Sequence, residues 1–82
     1  MSQHDILISR ALCIPKDFTY DELVKLVSYF GYKVKQGKGS RVKFYRELDK
    51  KVISIHKPHS GNIVKQYILR IVIDNLKDEG EI

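Results

Sequence analysis

The hydrophobic period changes twice along this chain of 82 residues, and that restricts the class of fold open to it. Up to Gly31 the apolar residues recur at helical spacing, from Tyr32 to His56 they alternate with polar ones, and beyond Gly61 helical spacing returns. A pattern of period 3.6 does not settle as a strand, nor one of period 2 as a helix. The chain is therefore expected to be α+β, with helices, then consecutive strands, then a helix.

Residues 5 to 12 put Leu7, Ile8, Ala11 and Leu12 at helical spacing, and Pro15 closes the segment, because the residue before a proline avoids helical geometry. Thr19 with Glu22 three residues later forms a capping box, and Phe18 and Leu23 occupy the positions of a hydrophobic staple. A second helix is expected from about 20 to 30, with Leu23, Leu26, Val27 and Phe30 facing the core and Gly31 as its left-handed carboxyl cap. The first strand follows from Tyr32 to Gln36 and ends in a turn at Gly37-Lys38-Gly39-Ser40. In the second, Arg41 to Arg46, Val42 and Phe44 face one way and Arg41, Lys43 and Tyr45 the other; in the third, about 51 to 56, Ile53 and Ile55 oppose Val52, Ser54 and His56.

A last helix is expected from 63 to about 77, with Ser60 or Asn62 as its amino cap. Ile63, Val64, Tyr67, Ile68, Leu69, Ile71, Val72, Ile73 and Leu76 take up much of its circumference, which calls for cover on more than one side. The order α-α-β-β-β-α then packs helices on one face of a three-stranded antiparallel sheet, a single domain over residues 1–82 with an acidic end, about 78–82, expected to fray. The apolar runs are far shorter than the ~18 residues of a membrane span, so no membrane role is expected. The first residues do not read as a secretory signal, and a lone Cys13 forms no internal disulfide, so a cytoplasmic location is expected, with Cys13 as a small core residue.

The net charge of +5 is concentrated in one part of the chain. Residues 33 to 57 carry nine basic groups against Glu47 and Asp49, giving +7, while the segments on either side are each at −1. Such a stripe is the footprint of a polyanion binder; the alternative is a solvated lysine-rich sheet whose charges protect its edges.

Four segments in order resemble the HicA family of bacterial toxin-antitoxin systems: Leu26 to Tyr32, the turn Gly37 to Ser40 leading into Arg41-Val42-Lys43-Phe44, the run Ile53 to His59, and a closing helix with Leu69 and Leu76. The resemblance covers roughly residues 19 to 76. It implies a fold like the double-stranded-RNA-binding domain, binding and cleavage of mRNA, and neutralisation by a HicB-like antitoxin that covers the active surface. One position departs from the family pattern: the usual Gly-Ser-His carries a histidine, taken as catalytic, where this chain has Arg41.

RNA cleavage without a metal needs one group to accept the 2′-hydroxyl proton and one to donate to the leaving oxygen, and histidine suits both because it titrates near neutrality. Arginine holds phosphate or stabilises developing negative charge, but does not exchange its proton. His56 shares the outer face with Arg41, Lys43 and Tyr45 by strand alternation, and His59 lies just beyond, so Arg41, His56 and His59 are the candidate catalytic set. The alternative is that the two histidines cap the strand-to-helix turn by bonding backbone carbonyls. Lys38, Ser40, Arg41, Lys43, Tyr45 and Lys57 are the candidate RNA-binding residues; Tyr45 either stacks on a base or is an ordinary strand tyrosine.

His56-Lys57-Pro58-His59 supplies at most half a zinc shell, with no cysteine or carboxylate near in sequence to complete it, and no metal or cofactor is expected. The glycine turn lacks Walker spacing and enters a strand rather than a helix. Three functions stay open: a ribonuclease toxin, an RNA-binding module without catalysis, and a basic surface that receives an acidic partner such as the antitoxin.

Overall fold

The computed structural model describes residues 3–58, 61–78 and 80. Its elements are α1 (Gln3–Leu12), α2 (Tyr20–Ser28), β1 (Lys33–Gln36), β2 (Arg41–Arg46), β3 (Lys51–His56) and α3 (Gln66–Asp78). This is the expected α-α-β-β-β-α order, with an antiparallel sheet in which β2 is central.

The start of α2 is capped as its sequence indicates. Thr19 Oγ1 accepts from the Glu22 N–H, and Glu22 Oε1 accepts in return from the Thr19 N–H. Arg10 from α1 pairs with Glu22 and with Asp17, which fastens the first helix to this cap. At the other end the Tyr32 N–H reaches the Val27 carbonyl and the Gly31 N–H that of Ser28, while Gly31 takes a φ of 87°. These two bonds around a left-handed residue form a Schellman motif. The regular helix runs to Ser28, two residues short of the expected end, while Gly31 is the expected left-handed cap and Phe30 is half-buried just before it.

The core lies between the sheet and the helices. Val42 and Phe44 of β2 and Ile53 and Ile55 of β3 meet Leu23, Leu26 and Val27 of α2, and Ile68, Leu69, Val72, Ile73 and Leu76 of α3. Arg46 follows the same inward alternation. It is 6% exposed, donates to Asp49 through Nε (3.0 Å) and Nη2 (2.6 Å) and to the Phe30 carbonyl (3.2 Å), and stacks its guanidinium 4.8 Å from the Tyr32 ring centre. One of the nine basic groups of the middle segment is thus structural and neutralised.

Three expectations need correction. The last helix begins at Gln66, not 63, because residues 62 to 64 run extended beside 18 to 20: the Tyr20 N–H donates to the Asn62 carbonyl and the Val64 N–H to that of Phe18. Asn62 spends its side chain on Asp21 rather than on a cap, and Ser60 lies outside the described residues. Second, α3 is covered on more than one side, by β3 and α1, as expected, but Tyr67 (59% exposed) and Ile71 (42%) of its apolar circumference stay open. Third, Cys13 is exposed: it sits in the turn after α1, where Ala11 takes the buried position. Residues 79, 81 and 82 of the acidic end also lie outside the described residues.

Two depressed carboxylates predict how stability follows pH. Asp49 is held below its ordinary range by the Arg46 hydrogen bond, with the Lys51 N–H and the Arg46 charge adding to it. Burial pushes Glu22 upward, but the Thr19 N–H, the Arg10 side chain and the Thr19 hydroxyl together outweigh it and bring Glu22 down. Each binds its proton less readily in the folded chain than in the unfolded one. Their stabilisation is complete above the unfolded values of about 4.5 and 3.8 and is lost as pH falls through the lower folded values. Urea midpoints should stay level from neutral pH down to the unfolded range and fall below it; Glu22→Gln should flatten part of that fall.

Candidate functional site

Away from the helices, strand register sorts the outer side chains into rows. Lys33 stands opposite Tyr45 and Tyr45 opposite Val52; Lys35 is opposite Lys43 and Lys43 opposite Ser54; Arg41 is opposite His56. Lys33, Lys35, Arg41, Lys43, Val52, Ser54 and His56 are exposed, and Tyr45 is half-buried with Lys35 Nζ 5.8 Å from its ring centre.

The ion pairs of Arg10 and Arg46 lie elsewhere, and none of the four lattice cations Lys33, Lys35, Arg41 and Lys43 forms one with a described residue. Lys35 directly opposite Lys43 is unfavourable for the bare sheet, because like charges across a strand pair repel. A bound anion would relieve that repulsion, and consecutive phosphates of a nucleic acid suit a two-dimensional lattice of cations.

Arg41 and His56 are brought together closely. The Lys57 N–H donates to the Ser40 carbonyl at 2.9 Å, one residue beyond the pair on each strand. That makes Arg41–His56 a non-hydrogen-bonded pair, the class with Cα atoms only ~4.5 Å apart and side chains nearest each other. Gly37 allows the turn to close on this corner: a Cβ there would sit 3.2 Å from both Arg41 Cβ and the Arg41 carbonyl oxygen. Ser40 Oγ lies 3.2 Å from His56 Nδ1, which leaves Nε2 as the imidazole nitrogen for a ligand. Arg41, Lys43, Ser54 and His56 line a shallow depression of about 340 Å³. A fixed cation, a second cation, a hydroxyl and an oriented imidazole around one such depression can hold a phosphodiester and move one proton.

The other expected residues fall less centrally. Lys38 is exposed in the turn that precedes Arg41. Lys57 is half-buried and extends from the end of β3 to Gln36, Nζ to Oε1 3.5 Å, away from the lattice rows. His59 lies outside the described residues. Lys33, Lys35 and Ser54 belong to the lattice but were not among the expected site residues; the signal for the two lysines was their alternation with Tyr32 and Val34. Among the described residues no three His, Cys, Asp or Glu side chains converge as metal ligands, and no helix is long and apolar enough to cross a membrane.

No curated protein and no solved structure matches the chain. A protein-family model described as HicA toxin of bacterial toxin-antitoxin matches residues 20–78, from the first residue of α2 to the last of α3. The match takes in every strand of the cationic lattice and both helices behind it, and on that extent the chain belongs to the HicA toxin family.

Proposed function

We propose that this toxin cleaves mRNA on the outer face of its sheet, without a metal, by attack of a ribose 2′-hydroxyl on the adjacent phosphate. The observation that carries the reading is the Arg41–His56 cross-strand pair, with Ser40 against the imidazole. Neutral His56 accepts the 2′-hydroxyl proton as the 2′-oxygen bonds to phosphorus. The bond to the 5′-oxygen breaks, and that oxygen takes a proton from His59 or from water. The products are a 2′,3′-cyclic phosphate and a 5′-hydroxyl. Arg41 and Lys43 hold the phosphate and stabilise the charge that builds on its oxygens, the part of the work a guanidinium performs well. Arg41 thus keeps a place in the site, while proton transfer passes to the strand opposite.

A second reading, binding without cleavage, is favoured by one observation: the lattice holds a single imidazole among the described residues, and Arg41 beside it exchanges no proton. In either reading a HicB-like antitoxin would neutralise the protein by laying acidic groups over the same four cations.

Both readings predict salt-sensitive binding. If Lys33, Lys35, Arg41 and Lys43 engage three or four phosphates of a single strand, log K should fall against log salt with a slope of about −2 to −3. Lys43→Ala should reduce that slope by somewhat less than one. Anisotropy titrations of a labelled RNA at several salt concentrations measure it, and a flat dependence would contradict any phosphate role for the lattice. Cleavage of a long mRNA in excess chelator by wild type, Arg41→Ala, His56→Ala and His59→Ala separates the two readings.

A further inference from the structure

A second depression of about 320 Å³ lies at the end of β3, between the chain leaving the sheet and the start of α3. It is of a size that takes a small planar ligand. Pro58, Ile63, Tyr67 and Ile68 supply apolar walls, Lys57 and Lys65 add cations, and among the described residues no carboxylate lines it. Tyr67 at the start of α3 and Ile63 just before it are 59% and 45% exposed, so the described residues leave both open to a ligand. His56 lines both this cleft and the phosphate depression.

From these features we infer that the cleft receives one unstacked nucleobase of the RNA whose phosphates lie on the lattice, with Tyr67 as its stacking platform. The inference rests on the phosphate reading above and deepens it by assigning a base-binding site next to the scissile phosphate. An apolar slot of this kind suits the π-face of a base, and sequence-tolerant recognition of single strands rests on such aromatic platforms. The two lysines favour a polyanion over a neutral ligand. The shared His56 joins the cleft to the phosphate depression, so that a nucleotide could reach one with its base and the other with its phosphate. A base seated there would hold the strand single and fix which nucleotide offers its 2′-hydroxyl to His56, so Tyr67 is a positioning residue for cleavage.

The test uses the full chain and two fluorescein-labelled probes, a mixed-sequence RNA octamer and an octamer of the same backbone lacking every base. Wild type should bind the RNA more tightly than the abasic strand. Tyr67→Ala should lose about tenfold on the RNA and nothing on the abasic strand, since one stacked base is removed, while Tyr67→Phe should retain wild-type affinity. Lys43→Ala should weaken both probes alike. In a parallel arm, an RNA carrying 4-thiouridine should crosslink to Tyr67. Wild-type affinity in Tyr67→Ala would overturn the inference and leave the phosphate lattice standing. If that variant instead loses only its binding to a co-expressed HicB-like antitoxin, the cleft belongs to a protein and the inference is overturned as well. Failure of wild type to bind either probe would overturn the lattice reading, and this one with it.

Discussion

His56→Ala is expected to bind RNA nearly as well as wild type and to cut it about a hundredfold to ten-thousandfold more slowly, the range that one positioned general base contributes. Affinity should hold because the four lattice cations carry the phosphate attraction and His56 is not among them. Rate should fall because Ser40 fixes the imidazole by its Nδ1, and His56 is the one imidazole among the described residues that line the depression with Arg41. Arg41→Ala should show a different pattern: weaker binding together with slower cleavage, since a guanidinium facing phosphate serves both ground state and transition state. Ser40→Ala should leave affinity unchanged and slow cleavage by less than His56→Ala, because it frees the ring without removing it. Single-turnover cleavage and anisotropy on the same RNA measure all three; equal loss of binding and rate in His56→Ala would make His56 a phosphate ligand and no base.

The largest effect on stability is expected at Phe44. It lies at the centre of the inner face of β2, opposite Val34 in β1 and Ile53 in β3, and is fully buried. Truncating a buried phenylalanine to alanine costs roughly 3–5 kcal/mol through lost transfer energy and the cavity left behind. By the usual per-residue range an 82-residue chain has only about 4–12 kcal/mol in all. Phe44→Ala should therefore melt roughly 12–40 °C below wild type. Val52→Ala, on the exposed face four residues along β3 from His56, should change stability by no more than about 0.5 kcal/mol. A melting temperature for Phe44→Ala close to that of Val52→Ala would contradict the placement of the core between the sheet and the helices.

Sequence alone made β2 and β3 legible to the residue, because each has two inward apolar positions, flanked by outward ones that are polar except for Val52, and a slip of one residue would expose all four. That same alternation put Arg41 and His56 on one face. The capping box was equally legible, since both of its bonds join residues three apart. Local signals failed where a distant segment decides. Ile63 and Val64 fit a helical stripe and a strand equally well, and the backbone of Phe18 and Tyr20 selects the extended form. Arg46 adds to a charge count like any arginine, yet Asp49, Phe30 and Tyr32 together hold it inside. The exposed Tyr67 and Ile71 mark the opposite failure: apolar residues at helical spacing read as core, and only the packing of α3 shows which part of that stripe is left open.

The ends of the cut RNA report most directly on the chemistry proposed for the Arg41–His56 corner. A 2′-hydroxyl attack leaves a 2′,3′-cyclic phosphate upstream of the break and a 5′-hydroxyl downstream. Incubation of the antitoxin-free protein with a long mRNA in excess chelator, followed by end-group analysis, should find those two ends in wild type and their loss in His56→Ala. Cleavage that leaves a 3′-hydroxyl and a 5′-phosphate would mean that water rather than the ribose attacks, and the assignment of His56 as the base for a 2′-hydroxyl would be wrong.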